Sequence, residues 1–276
     1  MNIPWKLKSR AFRAIDNLNA TSLLYWLQTN VTRRARKNLT VGSANWKFLR
    51  EHIASLGRPK VFEFGAGKSL QQNLYLSSFV SSQTLIDLFP MLDLRLADAA
   101  ARGLATLTDG RPYQPIGRIE DLKHYGIIYR APCDAAATGF TAGCFDACIS
   151  TDTLEHIPPG DLLRIFVELM RILRSGGLVS AVIDYSDHYA HTDASISRLN
   201  FLQFSENEFA LHNHSVHYQN RMRHGDYLAL FKQVGFEVLK EMSLNHIEPP
   251  VRISAQFSSD DPNTFATKGI FLLRNP

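Results

Sequence analysis

Cysteine is scarce in this chain, and long apolar runs are absent. The 276 residues include three cysteines, Cys133, Cys144 and Cys148, which all fall within one apolar region. Three thiols in a chain of this length make no disulfide framework, so we interpret them as reduced core side chains of a cytoplasmic protein. No run of about 18 apolar residues occurs that could span a membrane, and the basic N-terminus lacks the apolar stretch and cleavage site of a signal peptide.

The excess of positive charge is confined to the beginning of the chain. Residues 1–38 carry eight basic side chains and one acidic one, whereas the remainder carries 22 basic and 25 acidic side chains. The apolar fraction of 45% and the charged fraction of 20% are ordinary for a soluble globular protein and exclude a disordered or fibrous chain. Because the main body is mildly acidic, we expect no nucleic-acid partner.

Residues 1–45 are predicted to form a basic, amphipathic, helical extension. A second apolar run (23–27) precedes a basic cluster (33–37). Basic residues that flank Trp, Tyr and Leu suit a helix in a membrane interface, so one interpretation is peripheral membrane contact through residues 1–37. The alternative is a helix packed over the ligand-binding cleft as a lid, with its basic face in water. The apolar residues at helical spacing are Ile3, Leu7, Ala11, Ile15 and Leu18, with Trp5 and Phe12 at their border.

From about residue 59, short apolar strands alternate with helical stretches, a pattern typical of an α/β sheet. A helix over 160–174 is expected to end at Gly176-Gly177, and a helix over 226–234 at Gly235. We therefore predict one doubly wound domain over 46–276, with a mostly parallel seven-stranded sheet and a cap-like insertion at about 184–223. Strands are predicted at 60–64, 84–88, 126–129, 145–150, 178–183, 236–239 and 269–273.

The first strand runs into a glycine turn that allows two interpretations. Gly67-Lys68-Ser69 copies the end of a phosphate-binding P-loop, but Phe62 stands where that motif needs its first glycine. The other interpretation is a nucleoside-binding turn of the form acid-x-Gly-x-Gly, in which Gly65 permits the tight turn and Gly67 the close approach of a ligand. Ser69 replaces the third glycine of the dinucleotide fingerprint, which disfavours a Rossmann dehydrogenase without excluding it.

Acidic residues follow the next two strands at positions that suit a nucleoside. Asp87 ends the second strand, 22 positions after Gly65, where a carboxylate can accept both ribose hydroxyls. Asp134 follows the third strand, close to where an adenine amino group would lie. Each acid alone would more often be a solvated strand end or a helix cap. Together, at consistent topological positions, they favour an adenosine site.

These motifs, in this order and spacing, resemble the class I S-adenosylmethionine-dependent methyltransferases. The similarity covers about residues 59–183, and Ser69 is its main departure. It includes the helix-to-strand turn at 174–178. The residues that carry it are Glu63-Phe64-Gly65-Ala66-Gly67, Asp87, Cys133-Asp134-Ala135 and Phe145–Ser150 leading into Leu154-Glu155-His156-Ile157-Pro158.

The resemblance implies S-adenosylmethionine as cofactor and S-adenosylhomocysteine as product. It places Glu63 and the glycine turn at the methionine end, Asp87 at the ribose, and Asp134 with Ala135 at the adenine. Residues 150–152 would lie beneath the sulfonium. The predicted cofactor-binding residues are Glu63, Phe64, Gly65, Ala66, Gly67, Ser69, Asp87, Leu88, Asp134, Ala135, Ser150, Thr151, Asp152 and His156.

Six of the ten histidines cluster after the fifth strand, where the acceptor is expected. We predict that His188 or His191 is the general base, oriented by Asp184, with Tyr185 and His217 as further catalytic candidates. The alternative is that these histidines are structural. Metal binding by His188-x-x-His191 together with His214-x-x-His217 is a further alternative, but the spacing is not diagnostic, so no metal ligand is assigned.

The acceptor is predicted to be a small molecule or a sugar, methylated on oxygen or nitrogen. The segment after the fifth strand is similar to methyltransferases of bacterial surface-glycan or secondary-metabolite pathways, and its arginines can clamp an acidic group. Two alternatives stay open: a cyclase or lyase that uses the same cofactor without a methyl acceptor, and a non-catalytic cofactor-binding subunit. The predicted substrate-binding residues are Tyr189, Arg198, Tyr218, Arg221 and Arg223.

Overall fold

Seven β-strands form the centre of the protein. The structure, a computed structural model, describes residues 3–18, 44–107, 111–250 and 252–276. The predicted α/β class and the predicted number of strands are confirmed. The strands are β1 (Lys60–Phe64), β2 (Ser82–Ile86), β3 (Ile127–Arg130), β4 (Phe145–Thr151), β5 (Leu173–Asp184), β6 (Glu237–Leu244) and β7 (Lys268–Arg274).

Helices cover both faces of the sheet. Val61 of β1 packs in a core that includes residues of one helix and Leu76 of a second, whereas its neighbour Phe62 packs in a separate core with two other helices, because successive strand side chains point to opposite faces. The helices are α1 (Trp5–Asn17), α2 (Ala44–Ala54), α3 (Gln71–Leu76), α4 (Leu94–Leu104), α5 (Pro159–Ile172), α6 (Glu206–Ala210) and α7 (His224–Val234). The first core uses α2 and Leu76 of α3, and the second uses α5 and α7, whose Phe166 and Phe231 rings lie 4.8 Å apart.

The strand order is β3-β2-β1-β4-β5-β7-β6. The first five strands in this order are parallel, and β7 runs antiparallel to both β5 and β6. The order reverses between β1 and β4, so the connections that follow these two strands leave in opposite directions and open a crevice. The glycine turn after β1 and the residues after β4 therefore lie at the same crevice.

Helix α5 ends earlier than predicted. It stops at Ile172 and β5 begins at once at Leu173, so Gly176-Gly177 lies inside the strand and the predicted glycine end is wrong. The reason is Asn275, whose side-chain amide donates to the carbonyl oxygens of Met170 and Leu173 at 3.1 and 2.8 Å. These bonds satisfy carbonyls that a glycine turn would otherwise satisfy.

Helix α1 packs against the segment that follows β5. Trp5, Ser9 and Phe12 are buried there, and the backbone N–H of Trp5 donates to Asp193 Oδ2 at 2.7 Å. The residues predicted to form its apolar face do not form the buried one, because Leu7 is 60% exposed and Leu18 is 76% exposed. None of the helices in the described part of the chain has the length and apolar character needed to cross a bilayer.

The second apolar run (23–27) and the basic cluster (33–37) lie outside the described residues. Membrane contact through residues 1–37 therefore stays a prediction.

The segment 184–223 has local structure of its own. It contains α6, two short 3₁₀ helices and a small apolar cluster. Since α1 packs on this segment, the two together cover the region beside the carboxyl ends of β4 and β5. The cluster is built by Leu199, Phe201, Leu202 and Phe209.

Candidate active site

The glycine turn after β1 leaves open space for a ligand. Gly65 and Gly67 have φ angles of 72° and 74°, a region that favours glycine. A Cβ on Gly65 would lie 2.4 Å from Thr153 Cγ2, so the turn and the chain after β4 are in close contact. A Cβ on Gly67 would meet no atom within 4 Å. Gly65 is thus needed for packing within the protein, and Gly67 borders the crevice.

Glu63 lies buried beneath this turn. Its carboxylate accepts hydrogen bonds from Gln72 Nε2 at 3.2 Å and from Asn73 Nδ2. Burial raises the pKa of Glu63 to about 8, although the Asn73 bond opposes the shift. Thr151, at the end of β4, donates to Gln72 Oε1 at 2.9 Å. Gln72 therefore connects the ends of β1 and β4, a role that its sequence position did not indicate.

Asp87 follows β2 directly and its side chain is buried. Tyr129 Oη donates to Asp87 Oδ2 at 2.8 Å, and the backbone N–H groups of Ala66 and Gly67 point at the same carboxylate. Burial raises the pKa of Asp87, and these hydrogen bonds act against that rise. The Asp87 carboxylate is therefore fixed against the glycine turn.

The residues predicted at the adenine lie beside Asp87. The backbone N–H of Cys133 donates to the Asp87 carbonyl at 2.9 Å, which holds the loop containing Ala135 against the end of β2. Asp134 is exposed and its carboxylate accepts from the backbone N–H of Ala136 at 2.8 Å. Leu88 and the adjoining Phe89 are 58% and 69% exposed. An apolar surface thus adjoins a buried carboxylate, a combination suited to a base attached to a ribose.

The residues at the end of β4 and just after it lie at the crevice. Ser150 is buried, and its hydroxyl has no hydrogen-bond partner within the described ranges. Asp152 has a φ of 50° and donates its backbone N–H to the carbonyl of Val182 in β5 at 2.9 Å. Asp152 is exposed as a residue, but desolvation of its carboxylate by the surrounding protein, helped by the charge of Asp184, raises the pKa of Asp152 to about 6. The ends of β4 and β5 therefore lie side by side.

Three histidines meet at this edge, around Asp184. The ring centroids of His188 and His191 lie 4.9 Å apart, and those of His188 and His156 lie 4.8 Å apart. Asp184 Oδ2 lies 3.4 Å from His191 Nε2 and 3.7 Å from His188 Nε2. Ser186 Oγ lies 3.1 Å from His191 Nε2. The structure therefore brings both predicted bases to the predicted carboxylate.

The two predicted bases differ in their surroundings. His188 is buried, and that burial, with the nearby His156, lowers the pKa of His188 to about 3. The His191 side chain is 44% exposed. Burial alone would raise the pKa of Asp184, but hydrogen bonds from His191 and Ser186 outweigh it and lower that pKa to about 2. His191 is thus the imidazole that an acceptor can reach, with an ionised carboxylate behind it.

His217 and His214 belong to the contact with α1. The His217 ring packs between Phe12 and Tyr189, with centroid distances of 4.9 and 4.8 Å, and its centroid lies 6.1 Å from that of His188. Burial and the charge of Lys8 lower the pKa of His217 to about 2. His214 Nε2 lies 3.3 Å from Ser9 Oγ. These contacts give no support to a metal site that uses His214-x-x-His217.

Two of the tyrosines predicted at the site, Tyr185 and Tyr189, contribute to the packing of the protein. Tyr185 is buried in the core, stacked on Tyr227 at 5.7 Å, with its hydroxyl 3.1 Å from His224 Nδ1. Tyr189 Oη donates to the carbonyl of residue 212 at 2.7 Å beneath α1. Tyr218 contributes its carbonyl, which accepts from His156 Nδ1 at 3.0 Å. We therefore correct the catalytic role predicted for Tyr185, because its hydroxyl points away from the histidine cluster.

Arg221 and Arg223 are buried, and their guanidinium groups form hydrogen bonds within the protein. Arg221 donates to the carbonyls of residues 201 and 204 and to Glu206 Oε1. Arg223 donates to the carbonyls of residues 185, 264 and 266. Because these bonds occupy both guanidinium groups, we correct their predicted role as a substrate clamp and assign them to holding the 184–223 segment. Arg198 is exposed.

Replacing Arg223 by alanine tests this structural role. Arg223→Ala leaves three carbonyls without their donor, in a site where burial lowers the pKa of the guanidinium to about 10. We expect the free energy of unfolding to fall by about 3–5 kcal/mol, as for other broken buried networks. Urea denaturation, monitored by circular dichroism, measures this free energy. The exposed Arg198→Ala is the control, with an expected change within about 0.5 kcal/mol; equal stability of the two variants would contradict the assignment.

Besides Gln72, sequence reasoning left two further site residues without a role. Tyr129 holds the Asp87 carboxylate, but a tyrosine in a strand looks like any core residue. Glu155 belongs to a stretch that the resemblance singled out, yet the pattern gave it no function. The structure buries its carboxylate next to His156 and His188.

Comparisons with known proteins agree with this geometry. Residues 117–181 match the family model described as a methyltransferase domain, and no curated protein matches the chain in sequence. A solved S-adenosylmethionine-dependent methyltransferase from Mesorhizobium loti is 17% identical, with a TM-score of 0.50 over 86% of this chain and 100% of its own. The 1,6-didemethyltoxoflavin-N1-methyltransferase of Burkholderia thailandensis, solved with 1,6-didemethyltoxoflavin and S-adenosylhomocysteine, is 14% identical, with a TM-score of 0.52 over 94% and 89%. The chain therefore has the fold of the class I S-adenosylmethionine-dependent methyltransferases, and its residues 117–181 are similar to the methyltransferase-domain model.

Proposed function

We propose that this protein transfers a methyl group from S-adenosylmethionine to an oxygen or nitrogen of a small-molecule or sugar acceptor. The observation that carries the proposal is the meeting of two half-sites at one crevice. The glycine turn and Asp87 lie on the β1–β2 side, and the Asp184–His191 pair lies on the β4–β5 side. Ligands of open α/β sheets bind in the crevice at such a switch of strand order.

The residues at this crevice fit the cofactor. The open space beside Gly67 admits the cofactor chain, and the fixed carboxylate of Asp87 can accept the ribose hydroxyls. Leu88 and Ala135 offer apolar contact for the adenine, with the Asp134 carboxylate beside them. The remaining cofactor contacts in the proposal come from Glu63, Phe64, Gly65, Ala66, Ser69, Ser150, Thr151, Asp152 and His156.

S-adenosylmethionine supplies, when bound, a methyl group already activated on a sulfonium. The protein must then hold the acceptor in line with that methyl group, exclude water and take up a proton. Asp184 and Ser186 orient the His191 ring, whose exposed side can receive the acceptor proton. Helix α1 packs on the 184–223 segment, and this segment lies beside the same end of the crevice.

Acceptor identity follows in part from what the arginines do. Arg221 and Arg223 are used internally, so they do not recognise an acidic group, and only the exposed Arg198 among the predicted clamps faces solvent. The Burkholderia relative was solved with a small heterocyclic molecule bound, which supports a small-molecule acceptor.

Product identity tests the proposed function. The purified full chain is incubated with S-adenosylmethionine and a panel of nucleotide sugars and hydroxylated heterocycles, and the products are separated by liquid chromatography with mass detection. We expect S-adenosylhomocysteine together with an acceptor that has gained one methyl group. Methylthioadenosine would instead support the cyclase or lyase alternative. Calorimetry that detects no binding of either S-adenosylmethionine or S-adenosylhomocysteine would contradict the proposal as a whole.

A further inference from the structure

Glu155 is a buried carboxylate that accepts no hydrogen bond from the described residues. It lies in the 3₁₀ helix Leu154–His156 just after β4, and its side chain is 2% exposed. Neither carboxylate oxygen has a hydrogen-bond partner in the part of the chain that the structure describes. The backbone N–H groups of Glu155 and Asp184 lie close by, but not in hydrogen-bonding geometry. A carboxylate in such a position is unfavourable unless a cation or a proton occupies the space that it faces.

Two imidazoles face the same space. One donor atom each from Glu155, His156 and His188 lies within 4.8 Å of the other two. His156 Nδ1 is hydrogen-bonded to the carbonyl of Tyr218 at 3.0 Å, so in the neutral ring Nδ1 carries the hydrogen and Nε2 the free lone pair. A backbone carbonyl on the second nitrogen is the usual support for a metal-binding histidine.

We propose that Glu155, His156 and His188 bind one divalent transition-metal ion, zinc or a metal of similar ligand preference. One carboxylate and two imidazoles match that preference, and three protein ligands leave a position open for a reacting group. Donor atoms that bind a tetrahedral metal ion at about 2.1 Å lie about 3.4 Å from one another. Side-chain rotations that move the three donor atoms by about 1 Å therefore bring them into place. His156 is exposed, so an ion can reach these donor atoms from solvent.

A second group of donors shares His188 but is already satisfied. Asp184, His188 and His191 also lie within 4.8 Å of one another. Asp184 Oδ1, however, accepts hydrogen bonds from the backbone and hydroxyl of Ser186 at 2.8 and 2.6 Å, and His191 Nε2 lies 3.1 Å from the same hydroxyl. These bonds favour Glu155, His156 and His188 for the ion and leave the Asp184–His191 pair for the proton.

The ion gives this site a role in the proposed function, on which this part of the inference rests. An acceptor hydroxyl bound at the open position loses its proton more readily, because the cation stabilises the alkoxide. The O–H bond breaks and its proton passes to His191. The oxygen then bonds to the methyl carbon as the carbon–sulfur bond breaks, which releases S-adenosylhomocysteine.

Metal binding can be measured without cofactor or acceptor, so failure of the metal site is separate from failure of methyl transfer. The full chain, stripped with chelator and dialysed, is titrated with Co²⁺, a probe that accepts the same ligands as zinc and absorbs visible light when tetrahedral. We expect one equivalent to bind per chain, confirmed by elemental analysis. The isosteric Glu155→Gln, and separately His188→Ala, should weaken binding more than about 100-fold, beyond the range for loss of a supporting residue.

Two further variants complete the test. His246→Ala removes an exposed histidine outside the cluster and should bind Co²⁺ as the wild type does. His191→Ala should also retain the ion. Wild-type protein that binds no stoichiometric Co²⁺ overturns the proposal, and so does Glu155→Gln protein that is folded by circular dichroism and binds normally. If His191→Ala lost Co²⁺ and Glu155→Gln retained it, the ion would be bound by Asp184, His188 and His191 instead, and the assignment would be overturned.

Discussion

Asp87→Asn is expected to weaken binding of S-adenosylmethionine about 100-fold. The variant keeps the size of the side chain but replaces a charged acceptor of the ribose hydroxyls by a neutral amide. Hydrogen bonds to a charged group contribute about 1.5–3 kcal/mol each, and a net loss of about 3 kcal/mol corresponds to about 100-fold in Kd. In the wild type, the backbone N–H groups of Ala66 and Gly67 point at the Asp87 carboxylate. In the variant, the N–H₂ group of the amide would face these two N–H groups, donor against donor. Isothermal titration calorimetry with S-adenosylmethionine measures the change.

Asp146→Asn is the matched control for this prediction. Asp146 is also an acidic residue of a central strand, but it sits near the start of β4, at the opposite edge of the sheet. Its carboxylate accepts from the backbone N–H of Lys60 and from Arg174 Nε, both at 2.7 Å. Replacing the Asp146 carboxylate by an amide should lower the stability of the protein and leave its affinity for the cofactor unchanged. If Asp87→Asn bound the cofactor within threefold of wild type, the adenosine site would be wrongly placed.

The cofactor half of the crevice could be predicted from the sequence because its signals are local. The glycine turn follows directly from β1, where positive φ angles need glycine, and Asp87 follows directly from β2. In a parallel sheet the carboxyl ends of neighbouring strands meet, so residues at these ends converge whatever the remaining packing. Periodicity therefore predicted the strands, and the glycine turn and the acidic residue after β2 predicted which side chains converge at this end of the sheet.

The acceptor half depended on long-range packing and could be predicted only in part. Asp184 could be predicted beside the crevice because it ends β5, and His191 because it lies in the segment that follows this strand. The sequence around Arg221 and Arg223 does not distinguish a substrate-binding arginine from one that donates to buried carbonyls. The fold shows that both donate to buried carbonyls. The end of α5 likewise depends on Asn275, about a hundred residues away in the chain.

The face of α1 illustrates the same limit. Leu7 and Leu18 follow helical periodicity, yet the buried residues are Trp5, Ser9 and Phe12. Their partners include Tyr189 and Asp193, which lie in the segment after β5. Periodicity identifies the helix and the apolar residues on it, but the shape of the surface that receives the helix decides which of its faces is buried.

His191→Ala is expected to lower kcat by about 10²–10⁴-fold, the range for loss of a positioned general base, with S-adenosylmethionine affinity unchanged. The reason is that the His191 imidazole is half-exposed and is held by contacts of its Nε2 with Asp184 and Ser186, whereas His188 is buried. The assay is S-adenosylhomocysteine release at saturating acceptor, with kcat and KM determined separately. A base acts on the proton in the transition state, so the loss should fall on kcat rather than on KM.

Two comparisons separate a base from a structural residue. Added imidazole should restore part of the activity of His191→Ala, because a free base can enter the space left by the ring, whereas it cannot repair a distorted fold. His212→Ala removes a histidine of the same segment that lies 2.8 Å from Ser9 Oγ under α1, and it should retain most of kcat. Wild-type turnover in His191→Ala would remove the proton-accepting role from this residue. A kcat loss of equal size in both variants, with no rescue by imidazole, would instead assign His191 to the packing of the 184–223 segment, because only a residue that takes the proton itself can be replaced by a small base in solution.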